Sequence, residues 1–150
     1  VDVVIHPQSV IHSMVEFTDG SLLAQMGRPD MRLPIQYALT YPARRETPLP
    51  RFAFDQAATL TFEPPDPARF PALRLARQAM AAGGTLPAVL NAANEVAVAA
   101  FLAHKLPFLS IARVVGETLA RVPAAEPAAL AEVLAADQQA RAVAKQLLGG

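Results

Sequence analysis

Apolar and polar positions along the chain follow one period at the start and another after the middle. Val1 to Ile5 is a short apolar run halted at Pro7, which predicts a buried strand. From Ser9 to Phe17 the pattern alternates: Ile11, Ser13, Val15 and Phe17 share one face, and Val10, His12, Met14 and Glu16 share the other. Thr18-Asp19-Gly20-Ser21 is turn chemistry with Asp-Gly as a favoured hairpin pair, and Leu22 to Met26 returns as the partner strand. An antiparallel hairpin is expected. Gly27-Arg28-Pro29-Asp30-Met31 then leaves it, with Asp30 placed to cap a helix running to about Thr40. Pro34 falls in the first turn of that helix, where its missing N–H costs little. Residues 42–51 hold Pro42, Pro48 and Pro50 among three arginines and read as loop. One more strand is expected within Phe52 to Phe62, around Thr59-Leu60-Thr61-Phe62, before the stiff connector of Pro64, Pro65 and Pro67.

Beyond that connector the apolar positions recur at helical spacing. Pro71 begins a helix through Met80 that Gly83-Gly84 ends. Thr85 is placed to cap a second, with Leu86, Val89, Leu90, Ala93, Ala97, Ala100 and Phe101 on its apolar face. Ser110 precedes a third, carrying Ile111, Val114, Val115, Leu119 and Val122 on one side. A short helix is expected over Glu126 to Leu134, and Asp137 is placed to cap a last one through Leu148. The fold class is therefore α+β: a β-hairpin segment followed by a small helical bundle, divided as residues 1–63, a connector at 64–69, and 70–150.

Composition narrows what such a chain does. Its 150 residues are 53% hydrophobic and only 17% charged, enough to bury a core and unlike a disordered segment. Thirteen basic side chains balance thirteen acidic ones, and neither half hides a basic excess: residues 1–75 hold seven basic and eight acidic groups, residues 76–150 six and five. Nucleic acid is not an expected partner. Cysteine is absent, which excludes disulfides, thiolate metal sites and a cysteine nucleophile. No run approaches the roughly 18 apolar residues of a membrane span. The start lacks a basic leader, a cleavage site and a methionine, so a piece of a longer protein is expected.

Few residues offer chemistry. On an unbroken strand His6 and His12 would share a face yet lie roughly 20 Å apart, with no third ligand suggested, so no metal site is assigned. His104, beside Lys105 at a helix end, fits a structural role near the helix dipole. His12 is either a half-buried histidine bonded to a neighbour or a donor or acid–base group at a pocket edge, with Ser9 near the same mouth; spacing does not choose. The 27–31 loop is either a capped loop with Met31 packed inside or a binding loop at a strand end. Gly83-Gly84 precedes a helix N-terminus that would suit a phosphate, though a helix-to-helix turn is the simpler reading. Asn91, Asn94 and Glu95 form a polar stripe on a mostly apolar helix, suited to a network tying that helix to the rest and less to a substrate contact.

Four segments in register carry a resemblance: His6-Pro7-Gln8-Ser9-Val10-Ile11-His12-Ser13-Met14, Asp19-Gly20-Ser21, Gly27-Arg28-Pro29-Asp30-Met31-Arg32 and Leu90-Asn91-Ala92-Ala93-Asn94-Glu95. Together with the helical tail they resemble the C-terminal portion of 1-deoxy-D-xylulose 5-phosphate reductoisomerase over essentially the whole chain. The resemblance implies a hairpin from the end of a catalytic domain followed by a helical C-terminal domain. It implies conversion of 1-deoxy-D-xylulose 5-phosphate to 2-C-methyl-D-erythritol 4-phosphate, by rearrangement and NADPH reduction with Mg2+ or Mn2+, in the non-mevalonate route to isoprenoids. It also implies a homodimer and a cytoplasmic, bacterial-type setting. Carried over position by position, His12 and Ser9 lie near the substrate, and Pro29 and Met31 border the nicotinamide. No catalytic or metal-ligating residue carries over: the family's glycine-rich cofactor motif, acidic metal ligands and Asn-Lys phosphate stretch match nothing here. The chain by itself is expected to be inactive and to depend on upstream domains of the same protein. The competing expectation is a non-catalytic binding or assembly module derived from the same fold.

Overall fold

The period-two stretch becomes a hairpin because its turn contains the residues that closure requires. In a computed structural model describing residues 1–54 and 59–149, strands β1 (Ile11–Glu16) and β2 (Leu22–Met26) pair antiparallel. The Gly20 N–H donates to the Phe17 carbonyl and the Phe17 N–H to that of Ser21. Gly20 sits at φ +83°, the left-handed conformation that lets a three-residue loop match the strand twist. Asp19 Oδ1 accepts from both the N–H and the hydroxyl of Ser21 and braces the turn. Helix α1 (Arg32–Thr40) follows. The cap position is Met31 and not Asp30 as expected, but Asp30, one residue earlier, still accepts the Arg32 N–H at Oδ1, 2.9 Å away.

Two expected strands are not there. Val1 to Ile5 is exposed, and its one described bridge pairs Ile5 with Glu63, antiparallel. Apolar content alone does not make a strand: a ladder needs successive residue pairs, and Ile5 with Glu63 is a single pair. Thr59 to Phe62 is likewise not a strand; residues 55–58 of the segment read as containing it lie outside the described residues.

The chain divides into two compact units, Val1–Pro65 and Asp66–Gly150. The second contains helices α2 (Ala72–Ala82), α3 (Leu86–Leu102), α4 (Ser110–Arg121) and α5 (Leu130–Gly149). Helix α3 is central, packed against the other three. Its buried face is Val89, Ala92, Ala93, Ala97 and Ala100, small side chains that let neighbouring backbones come close. Val114, Val115, Val122, Ala140 and Ala144 complete the core from α4, its C-terminal end and α5.

Three local expectations are corrected. The helices expected over Glu126–Leu134 and after Asp137 are a single helix, α5. Pro127 disfavours helical backbone at Glu126 and delays the start, while the Ala135-Ala136 link favours helix. Asp137 is an interior residue whose carboxylate is held by Arg141, one turn on, rather than a cap. Thr85 holds the N-cap position of α3, as expected, but its side chain makes no capping hydrogen bond. Its buried hydroxyl accepts the Ala125 N–H, and its own N–H donates to the Ala125 carbonyl, fastening the α2–α3 turn to the strap between α4 and α5.

Candidate functional site

The first unit presents its chemistry at the open end of the hairpin, away from the Gly20 turn. Along β1 and β2 the pairing runs Glu16 with Leu22, Val15 with Leu23, Met14 with Ala24 and Ser13 with Gln25, then slips so that Ile11 faces Met26. His12 is the extra residue: a β-bulge, the device by which a strand bends and re-aims one side chain. The simple alternation expected for Ser9–Phe17 therefore breaks at His12. His12 is exposed and lines a cavity of about 780 Å³ that runs from His6, Phe62 and the Val1–Val4 segment along β1 to Glu16 and Leu22 beside the turn.

Upstream of β1 the chain turns tightly. The Ser9 N–H donates to the His6 carbonyl at 3.0 Å, with Pro7 and Gln8 at the turn's centre. Pro7 at this position is preset for such a turn. Ser9 has φ +50°, a left-handed conformation that non-glycine residues rarely adopt. His6 and His12 are thus not on one unbroken strand. The His6 ring stacks on Phe62 with centroids 4.7 Å apart, and Nδ1 lies 2.9 Å from the Thr61 carbonyl. A carbonyl only accepts, so Nδ1 carries the proton and buried Nε2 is left without a partner.

The outgoing loop starts from the same place. The Gly27 N–H donates to the Val10 carbonyl, which sets the 27–31 loop beside the Ser9-Val10 step. Arg32 folds back on Asp30, its Nη2 and Nε reaching the carboxylate at 2.6 and 2.9 Å. Hydrogen bonds from the Arg32 side chain and backbone N–H hold Asp30 down at about 2, well below the usual carboxylate range. Asp30 thereby ties the step between Pro29 and Met31 to α1. Met31 is 70% exposed, not packed inside as one reading of the loop had it.

His12, Ser9, Pro29 and Met31 therefore all belong to segments at the hairpin's open end, but only His12 lines the large cavity. A smaller cavity of about 370 Å³ runs along α1, lined by Ile35, Leu39, Thr47 and Pro48, with Arg32 as its single charged group. Of the loop arginines, Arg44 lies over the Tyr37 ring at 4.1 Å, a cation–π contact. No three His, Asp or Glu side chains converge among the described residues. The loop presents an apolar ledge at Met31. No helix among the described residues is long and apolar enough to cross a membrane.

In the second unit the polar stripe has a structural use. Asn91 Nδ2 donates to Glu95, and Arg141 of α5 bridges Glu95 at 2.7 Å and Asp137 at 2.7 Å. The hydrogen bonds from Arg141 and Asn91 lower the Glu95 pKa, and the two carboxylates raise that of Arg141. The network ties α3 to α5 on the surface. Sequence reasoning missed Arg141's part because Asp137 was assigned to a helix start. It also read His6 and Gln8 without their partner Thr61, more than fifty positions away. The signal available was the dense polar run His6-Pro7-Gln8-Ser9 on an otherwise apolar start.

A model of the family described as DXP reductoisomerase C-terminal domain matches residues 26–143. The 1-deoxy-D-xylulose 5-phosphate reductoisomerase of Chlorobaculum tepidum is 56% identical over 149 residues, covering 99% of this chain and 39% of that protein. Its counterpart in Cellvibrio japonicus is 55% identical over 148 residues, 99% of this chain and 37% of that protein. The solved reductoisomerase from Zymomonas mobilis in complex with NADPH superposes with a TM-score of 0.90 at 51% identity, over 99% of this chain and 39% of that one. A DOX-P reductoisomerase in complex with NADPH, fosmidomycin and magnesium gives 0.86 at 39% identity, over 97% of this chain and 38% of that one. The chain thus spans about two fifths of the length of the curated relatives it matches.

Proposed function

The chain belongs to the DXP reductoisomerase C-terminal domain family, and from that membership we propose that it is the C-terminal portion of a longer enzyme. That enzyme converts 1-deoxy-D-xylulose 5-phosphate to 2-C-methyl-D-erythritol 4-phosphate with NADPH and a divalent cation. The observation that carries this reading is a likeness at 56% identity running over 99% of the chain, so that hairpin, loop and helices all fall within it. Residues 1–63 would close the catalytic domain, 64–69 connect, and 70–150 form the helical domain. The enzyme would work in the cytoplasm as a homodimer.

In this reading the chain's own residues border the reaction without carrying it. His12, pushed out by the β-bulge, donates to or accepts from the substrate's oxygens, and Ser9 adds a second polar contact. Pro29 and Met31 lay an apolar wall against the nicotinamide and keep water from it; NADPH, when bound, supplies the hydride. By itself the chain does not turn over.

The test is NADPH oxidation with 1-deoxy-D-xylulose 5-phosphate and Mg2+, run on this chain and on the longer protein. Turnover in the longer protein alone is the expected result. No turnover in either, with both folded, overturns the enzyme reading in favour of a binding or assembly module. In the active protein, His12→Ala is expected to lower kcat/KM by roughly 10- to 100-fold, the cost of one hydrogen bond to a charged or polar group, while the melting temperature stays within a few degrees. Unchanged kinetics would return His12 to a structural role.

A further inference from the structure

The segment ahead of β1 is fastened to residues 61–63 by more hydrogen bonds than an exposed stretch of chain ordinarily makes. The Ile5 N–H donates to the Glu63 carbonyl at 2.8 Å and the Glu63 N–H to that of Ile5 at 3.0 Å. The His6 Nδ1–H donates to the Thr61 carbonyl at 2.9 Å. Gln8 then takes the rest of the same residue: its Nε2 donates to Thr61 Oγ1 at 2.8 Å, and its Oε1 accepts the Thr61 N–H at 3.2 Å. Every polar group of Thr61 is thus engaged by His6 or Gln8. The His6 ring, stacked on Phe62, completes the attachment.

We propose that His6 and Gln8 are positioning residues: gripping Thr61, they hold the His6–Ser9 turn in the one geometry that presents Ser9 to the substrate. This rests on the reading above that Ser9 borders the substrate. Two features of the turn require such a hold. Ser9 sits at φ +50°, a conformation a serine leaves readily unless its neighbours over-determine it. The turn itself is closed by one backbone bond, from the Ser9 N–H to the His6 carbonyl. Gln8, adjacent to Ser9, anchors by two bonds to a single residue, which fixes both the position and the rotation of the backbone entering Ser9. The grip therefore acts on binding geometry more than on global stability, because exposed hydrogen bonds contribute little net free energy.

The experiment uses the complete enzyme. Gln8→Met removes both side-chain bonds at nearly constant volume, Thr61→Val removes the hydroxyl, and Thr61→Ser retains it. Gln8→Met is expected to raise the substrate KM about tenfold, a modest case of the losses that follow displacement of a positioning group. The KM for NADPH stays within about twofold and the melting temperature within a few degrees. Thr61→Val follows in the same direction, and Thr61→Ser stays close to the parent. In a Ser9→Ala background, Gln8→Met adds less than about twofold, because the group it positions is gone. Unchanged substrate KM in both Gln8→Met and Thr61→Val overturns the proposal. So does an equal rise in the KM for NADPH, or full additivity with Ser9→Ala. If Ser9→Ala itself leaves the kinetics untouched, the assignment of Ser9 to the substrate fails first and the proposal falls with it.

Discussion

At the scale of single residues, left-handed backbone and paired charges mark where the chain is held against its own preferences. Ser9 is one such position and His104 another. His104, at φ +58°, closes α3 with its N–H on the Phe101 carbonyl and that of Lys105 on Ala100, a Schellman ending in which glycine is the commoner occupant. The structural role expected for His104 fits that place. Asp30 is held by Arg32 rather than by burial, and a pH dependence follows. Its carboxyl in the fold is depressed to about 2. The bonds it accepts therefore add stability that is complete above the unfolded value of about 4. That contribution is lost as pH falls through about 2. A 13C titration of the Asp30 carboxyl should give a midpoint near 2, and Arg32→Ala should move it upward. A midpoint in the ordinary range in both proteins would mean the pair does not form in solution.

At the scale of elements, joints depend on residues that no periodicity reveals. The α2–α3 turn and the strap between α4 and α5 meet where Thr85 and Ala125 exchange hydrogen bonds. Gly84 makes that approach possible: a Cβ there would stand 2.4 Å from the Ala125 carbonyl oxygen, and its φ of +56° already disfavours a side chain. Gly84→Ala should cost more than about 1 kcal/mol, read from the urea midpoint, whereas Gly20→Ala meets nothing within 4 Å and pays only for its backbone. Equal costs at the two sites would contradict the close approach. The Gly83-Gly84 pair is thus a helix-to-helix turn in use, the simpler of its two sequence readings.

At the scale of the molecule, the two units are unequal. Every buried apolar side chain among the described residues lies between Ala79 and Ala144, while Val3, Ile5, Val15, Phe17, Leu22 and Leu23 stand exposed. Residues 66–150 should therefore fold alone, with helical circular dichroism and one cooperative urea transition. Residues 1–65 should not, since an isolated hairpin without a covered apolar face is marginal at best. A cooperative transition from the 1–65 piece would refute this. The hairpin, its turn, α1 and the helical bundle were legible in the sequence because each rests on local rules: alternation, Asp-Gly turn chemistry, helical spacing and proline or glycine at the ends. The fastening of the strap between α4 and α5, the merging of two expected helices into α5 and the loss of two expected strands were not, because they depend on which neighbours supply or withhold partners. The same division runs through the site. His12, Ser9, Pro29 and Met31 could be named from residue type and resemblance. The bulge under His12, the grip of His6 and Gln8 on Thr61 and the bridge of Arg141 to Glu95 were decided only by tertiary structure, since a hydrogen bond between positions dozens of residues apart leaves no trace in local pattern.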